Sequence, residues 1–433
     1  MSHHKEILRL ALPSVVTNIT VPLLALADTA IVGHLGQAAF IGATAIGGTI
    51  FSMIYWIFAF LRMGTTGLVA QARGRQDRSE ARTILVRALR LSVCISTLLL
   101  ILQVPILRVA LYFMAPAPEV SQLASLYFRI VVWGAPAVLA QYVLTGWYIG
   151  EQDTRSPMLV ALAQNLLNVA LSLTLVYAAR MGFAGVAMGT VLSQWAGLLF
   201  AIGLLRPYIR GAKSSLPPVD TTETATWRQM LRVNSDIFLR TVCLVAVTVS
   251  FTAAGSRQGE LTLSANMLLM QLFILYSYFT DGLANAAEAL AGKWDGAGCR
   301  RELHQTVRCL FAQGAVVSAA FCLLYLLGGR TLLALLTNVE TVRLTAATYL
   351  PWASLIPIVA LPAMVWDGVF IGLTWTRGML GSMFLAMCLF FVLLTCCQKL
   401  GNHALWLAFD SYLLARGTIQ TCYVIRKSNR HEF

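Results

Sequence analysis

Five residues of this chain have types and spacing that suit ion chemistry: Asp28, Asn165, Asn168, Ser172 and Thr190. Asp28 lies deep in a long apolar stretch. Asn165, Asn168 and Ser172 recur at i, i+3 and i+7, which puts them on one face of a helix. With Thr190 they offer one carboxylate and several neutral oxygens. Such a donor set suits a proton site, or a weakly bound hard cation such as Na+ held by Asp28, Asn168 and Thr190. The neutral residues serve equally well as hydrogen-bonding glue between membrane helices.

A second set carries opposite charges: Arg62, Asp236, Arg240, Asp281, Glu288 and Asp367. Asp236 and Arg240 are an i, i+4 pair. Asp281, Asn285 and Glu288 share a helical face at i, i+4 and i+7. Charges taken out of water must neutralise one another. Two roles fit this inner set, a gate or proton relay and a static ion-pair network. Asp410 is also acidic and embedded, and the sequence offers it no partner.

The elements that position these residues are apolar blocks. Of 433 residues, 58% are hydrophobic and 12% are charged. Soluble domains carry about 25% charged residues, so an ordinary cytosolic enzyme, a disordered scaffold and a fibrous protein are excluded. The blocks do not alternate as barrel strands do. Twelve of them reach the length needed for a hydrocarbon core about 30 Å thick. They run over 7–33, 39–70, 83–113, 121–148, 157–179, 184–205, 229–255, 261–291, 306–328, 345–371, 378–398 and 402–424. The expected fold is an all-α polytopic membrane protein with twelve transmembrane helices. The first block is read as a retained span and not as a cleaved signal.

Charge then sets orientation. The net charge is +13, which in a soluble protein would suggest nucleic acid. Here twenty-three Lys and Arg fall on the side of the N-terminus, Arg416 among them, and five on the other. This positive-inside asymmetry predicts cytoplasmic termini and requires no nucleic-acid partner.

A polar stretch, 207–228, divides the chain into an N-terminal lobe, 1–206, and a C-terminal lobe, 229–433. The lobes repeat. Gly146-Trp-Tyr-Ile-Gly150 answers Gly368-Val-Phe-Ile-Gly372 at an offset of 222 residues, and Gly64 answers Gly282 at 218. Six spans separate equivalent positions, so the two six-helix repeats are parallel, a transporter architecture. Catalytic signatures are missing. There is no HExxH, no Walker A and no paired-carboxylate motif for a metal, so no enzyme activity and no cofactor are expected. Nine cysteines form no CxxC pair and are read as small buried residues.

Four stretches carry a resemblance over the whole chain. They are Ala27-Asp28-Thr29 through Gly33-His34-Leu35, Phe60-Leu61-Arg62-Met63-Gly64-Thr65-Thr66-Gly67, Asp281-Gly282 through Ala286-Ala287-Glu288, and Asp367-Gly368 through Gly372. With twelve spans and a midpoint linker, the chain resembles the multidrug and toxic compound extrusion (MATE) transporters of the DNA-damage-inducible-F-like branch. The resemblance implies a V-shaped pair of six-helix lobes. It implies antiport in a bacterial plasma (inner) membrane, by alternating access, of organic and often cationic compounds against H+ or Na+. The partners implied are a small organic substrate, the coupling ion and the lipid bilayer, and the protein is expected to act as a monomer.

The family's aspartate on the first span matches Asp28, and its threonine on the sixth matches Thr190. The family's fifth-span motif is Asn, two residues, Asn, three residues, Asp. Here it reads Asn165, Asn168 and Ser172, so the last carboxylate is missing. One carboxylate fewer weakens a Na+ site and leans the expectation toward protons. The alternative within the same superfamily is a flippase for lipid-linked precursors. It would line its cavity with several basic residues, and few are embedded here (Arg62, Arg108, Arg129 and Arg240).

Overall fold

A computed structural model describes residues 3–206, 208 and 224–429. The polar linker expected over 207–228 lies outside the described residues, except at Tyr208 and from Thr224 onward. Among the described residues the fold is helical throughout. Eleven of the described helical segments are long and apolar enough to cross a membrane. In order they are His3–Gly33, Ala38–Gly74, Arg78–Ile101, Pro118–Gly150, Arg155–Ala178, Phe183–Leu204, Trp227–Ser256, Glu260–Gly296, Arg300–Leu336, Glu340–Gly372 and Thr376–Cys396. They are numbered here as spans 1 to 11. Span 12 is the 28-residue helix Asn402–Asn429. It is long enough to cross but more polar, because Asp410, Arg416 and Gln420 are all built into it.

The spans are not uniform rods. Span 2 breaks after Ile57 and resumes at Phe60. Span 4 passes through a tight turn at Val132–Gly134, with Pro136 opening the helix that follows. Span 5 ends in a wide π-helical turn, Thr174–Ala178. Such turns are uncommon and gather at functional sites. Span 10 stays helical through Pro351, Pro357 and Pro362.

The chain forms two compact units, Val16–Met230 and Met1–Val15 with Leu231–Phe433. The sequence reading placed residues 1–15 with the first lobe. Three contacts explain where they group. A Cβ on Gly282 would lie 2.9 Å from the Ala11 carbonyl oxygen, so only glycine lets span 8 approach there. Lys293 Nζ reaches Glu6 Oε1 at 2.8 Å, and His3 Nε2 reaches Glu302 Oε2 at 3.0 Å.

The repeat seen in the sequence has a packing cause. In membranes, small residues four apart let backbones touch. A Cβ on Gly146 would collide with the Arg62 carbonyl, and one on Gly150 would lie 2.7 Å from Val69 Cβ, so this pair seats span 4 on span 2. In the other unit a Cβ on Gly368 would strike the Ala284 carbonyl, and one on Gly372 would lie 2.6 Å from the Glu288 carbonyl oxygen. That pair seats span 10 on span 8. Gly368→Ala is therefore expected to destabilise by about 1–3 kcal/mol through overpacking. Gly381→Ala, with no atom within 4 Å of its Cβ, should be nearly neutral. Thermal unfolding in detergent compares the two, and equal melting temperatures would dismiss the clamp.

The turns repeat as well. Spans 2, 4, 8 and 10 end at Gly74, Gly150, Gly296 and Gly372, and each closes with the same two backbone bonds. Asp77, Asp153, Cys299 and Trp375 donate back to the carbonyls of Ala72, Tyr148, Trp294 and Phe370 at 2.8–3.0 Å. Gln76, Gln152, Gly298 and Thr374 donate to Arg73, Ile149, Asp295 and Ile371. These four residues have φ between 54° and 67°. This is the Schellman ending, which satisfies helix carbonyls left without partners.

The cysteines differ from expectation. All nine are free thiols, and each is exposed or partly exposed. A thiol is small and apolar enough to sit on a helix face turned toward lipid, so an apolar block does not by itself imply burial in protein.

Candidate functional site

The unit Val16–Met230 contains all five residues of the first set. Asn168 is 1% exposed and Ser172 is fully buried. Asn168 Nδ2 donates to Thr190 Oγ1 and to Ser193 Oγ, both at 3.3 Å. Thr190 Oγ1 in turn donates to the Val186 carbonyl at 3.1 Å. Asn165 Nδ2 reaches back to the Thr20 carbonyl at 3.4 Å, tying span 5 to span 1. Gly189 makes the closeness of spans 5 and 6 possible, since a Cβ there would lie 2.6 Å from Ser172 Oγ.

Asp28 enters through a residue that the sequence did not point to. The Tyr127 phenol interacts both with Asp28 and with Thr190. Gly47 makes room for the Tyr127 ring, which a Cβ would strike. Three oxygens of the set are buried and have no hydrogen-bond partner among the described residues: Asp28 Oδ1, Asn168 Oδ1 and Ser172 Oγ. Buried polar atoms are normally paired. These three unpaired oxygens are therefore candidates to hold an ion or a proton. The Thr190 oxygen is already engaged by Asn168, and one carboxylate supplies one charge.

Arg62 belongs to this same unit. It acts electrostatically on Tyr142, which neighbours Tyr55, which neighbours Tyr127. The other five residues of the second set lie in the unit containing Leu231–Phe433. Asp367 is 6% exposed and is surrounded by donors. Arg240 donates to its Oδ2, Arg416 Nη2 donates to Oδ2 at 2.9 Å, and Gln420 Nε2 donates to Oδ1 at 2.7 Å. The i, i+4 pairing expected between Asp236 and Arg240 is replaced. Arg240 turns to Asp367, and Asp236 Oδ2 accepts from Thr376 Oγ1 at 2.6 Å. A carboxylate between two guanidiniums outcompetes a single helical neighbour. Asp281 acts on Arg416, and Glu288 is buried at 1% exposed.

Arg416 is the main correction in this unit. The sequence counted it as a cytoplasmic topology residue, yet it is 2% exposed and bonded within the bundle. With Gln420 it supplies two of the three donors around Asp367. Only their i, i+4 spacing hinted at a shared face.

Comparison with known proteins accounts for this arrangement. The profile of the family described as MatE matches residues 13–174 and again residues 237–396. The chain belongs to the MatE family. The double match also recovers the internal repeat. The MatE chain is 36% identical to DNA damage-inducible protein F of Escherichia coli (strain K12) over 416 residues, 96% of this chain and 91% of that protein. It is 24% identical to a probable multidrug resistance protein NorM of Thermotoga maritima, over 73% of this chain and 68% of that one. The fold superposes on the outward-facing conformation of a multidrug resistance MATE family transporter of the MOP superfamily. The TM-score is 0.89 and the identity 19%, over 99% of this chain and 97% of that chain. A MATE in the bent conformation gives a TM-score of 0.88 at 18% identity, over 99% and 96% of the two chains. At such identities the likeness concerns the fold. MatE membership places this multi-pass membrane protein among multidrug transporters.

Proposed function

We propose that the protein is a secondary antiporter that exports small organic, often cationic, compounds in exchange for protons, by alternating access. Asp28 carries the proton, and Asn165, Asn168, Ser172 and Thr190 frame it. The observation that carries this reading is the buried, unpartnered Asp28 Oδ1, in the same unit as the unpartnered oxygens of Asn168 and Ser172. A lone carboxylate in apolar surroundings holds a proton readily and releases it when its surroundings open. The relatives named as multidrug resistance proteins support the substrate class. The positive-inside asymmetry supports a bacterial plasma membrane with both termini in the cytoplasm. The flippase reading is disfavoured, because the buried guanidiniums of Arg240 and Arg416 are already engaged by Asp367.

The test is efflux of a fluorescent cationic dye from proteoliposomes under one gradient at a time. A pH gradient alone is expected to drive export and a Na+ gradient alone to leave it at background. Full activity on Na+ without a pH gradient would reject proton coupling.

A further inference from the structure

Asp410 is an embedded carboxylate that the reading above leaves without a task. It is 4% exposed, and neither of its side-chain oxygens has a hydrogen-bond partner among the described residues. Its neighbours along span 12 are engaged. Asn402 and Asn266 exchange amide bonds at 2.8 Å in both directions, and Trp406 Nε1 donates to Asn266 Oδ1 at 2.9 Å. Tyr412 donates to Met383 Sδ at 3.0 Å, and Arg416 and Gln420 hold Asp367. Asn402, Trp406 and Asp410 stand at i, i+4 and i+8, one stripe of the helix. Asp410 thus lies about 12 Å along the helix from the amide cluster and about 9 Å before Arg416, at about 1.5 Å per residue.

Packing alone does not explain it. An ionised carboxylate there would be uncompensated, at a cost of several kcal/mol, so in this arrangement the group carries a proton. A neutral acid still has an O–H in need of an acceptor, and none is present. Asp367, in the same unit, shows what a structural carboxylate looks like in this fold, with three donors arranged around it. The titratable groups embedded in the surrounding spans include Asp236, Arg240 and Cys243 of span 7, Tyr276, Tyr278, Asp281 and Glu288 of span 8, Asp367 of span 10 and Cys388 of span 11. Tyr412 and Arg416 belong to its own helix. None of these bonds to Asp410. A Na+ ion would require more oxygens than the single carboxylate supplies.

We propose that Asp410 is a second proton-binding site, which takes up and releases one proton during the transport cycle in the unit that does not contain Asp28. This rests on the proton-coupled reading given above for its role, though not for its chemistry. Binding converts carboxylate and H+ to the carboxylic acid, with no other reactant.

The experiment follows the carboxyl C=O band by infrared difference spectroscopy as pH is raised. It uses the full chain in lipid nanodiscs, without substrate or gradient. With Asp28→Asn present in every sample, so that Asp28 contributes no band, the otherwise unchanged chain is expected to show a protonated-carboxyl band that vanishes with rising pH, added Asp410→Asn to lack that band entirely, and added Asp410→Glu to retain it at a shifted frequency. The glutamate variant guards against loss through misfolding. A band that survives in Asp410→Asn would overturn the assignment. So would a band that never titrates, which would mark a permanently neutral packing residue. If the band titrates as expected but dye export ignores a pH gradient, the functional reading fails and the proton site stands. If export follows the pH gradient and the band does not titrate, the reverse holds.

Discussion

Asp28→Asn abolishes dye efflux driven by a pH gradient, to the level of empty liposomes, while the protein still inserts and is purified in normal yield. The amide keeps the size and the hydrogen-bonding edge of the carboxyl, so Tyr127 retains a polar neighbour. What disappears is the ability to alternate between charged and neutral forms. No other carboxylate belongs to this set, because position 172 is a serine, so no neighbour can take over. Asp28 Oδ1 is already unpartnered, so exchanging the group breaks no bond through that atom. Loss of export therefore reports on coupling and not on stability. Efflux in Asp28→Asn that matches the wild type under the same pH gradient would remove Asp28 from the mechanism.

Asp367→Asn is expected to act in the opposite way, on stability first. The substitution leaves Arg240 and Arg416, 8% and 2% exposed, facing a neutral amide. Removing one partner from a buried ion pair typically costs about 3–5 kcal/mol, because the remaining charge is stranded. The purified variant should melt well below the wild type in detergent. The triple replacement Asp367→Leu, Arg240→Met, Arg416→Met should recover much of that loss, since apolar groups strand no charge. An Asp367→Asn protein with wild-type melting and reduced export would instead favour a relay over a static cage.

The spans and the duplication were legible in the sequence because both are written in one dimension. A run of apolar residues predicts a crossing, and glycine pairs at a fixed offset predict repeated packing. The pairings were less legible because they join distant helices. Asp367 meets Arg240 from 127 positions away and Gln420 from 53, and no periodicity encodes that. Asp236 and Arg240 illustrate the failure, since local spacing pointed to each other and tertiary partners won. Arg416 was hidden by its company, because a basic residue near Arg426 and Lys427 looks like one more topology marker. Tyr127 and Ser193 gave no signal beyond being polar in an apolar stretch. The closeness of Asn168 and Thr190 followed from the shared helical face of Asn165, Asn168 and Ser172 and from the matching depths of spans 5 and 6.

The four matching helix endings bear on how such a chain arose. They occur after spans 2 and 4 and again after spans 8 and 10, each with a final glycine, a left-handed residue two positions on and the same pair of backbone bonds. An ancestor of half the length, with six spans, would begin and end on the same side of the membrane. Two tandem copies could then fuse through a polar tether without inverting either. Once fused, the copies were free to specialise. One unit holds the unpartnered oxygens of Asp28, Asn168 and Ser172, and the other encloses Asp367 between two arginines and a glutamine, a difference that identical copies could not show.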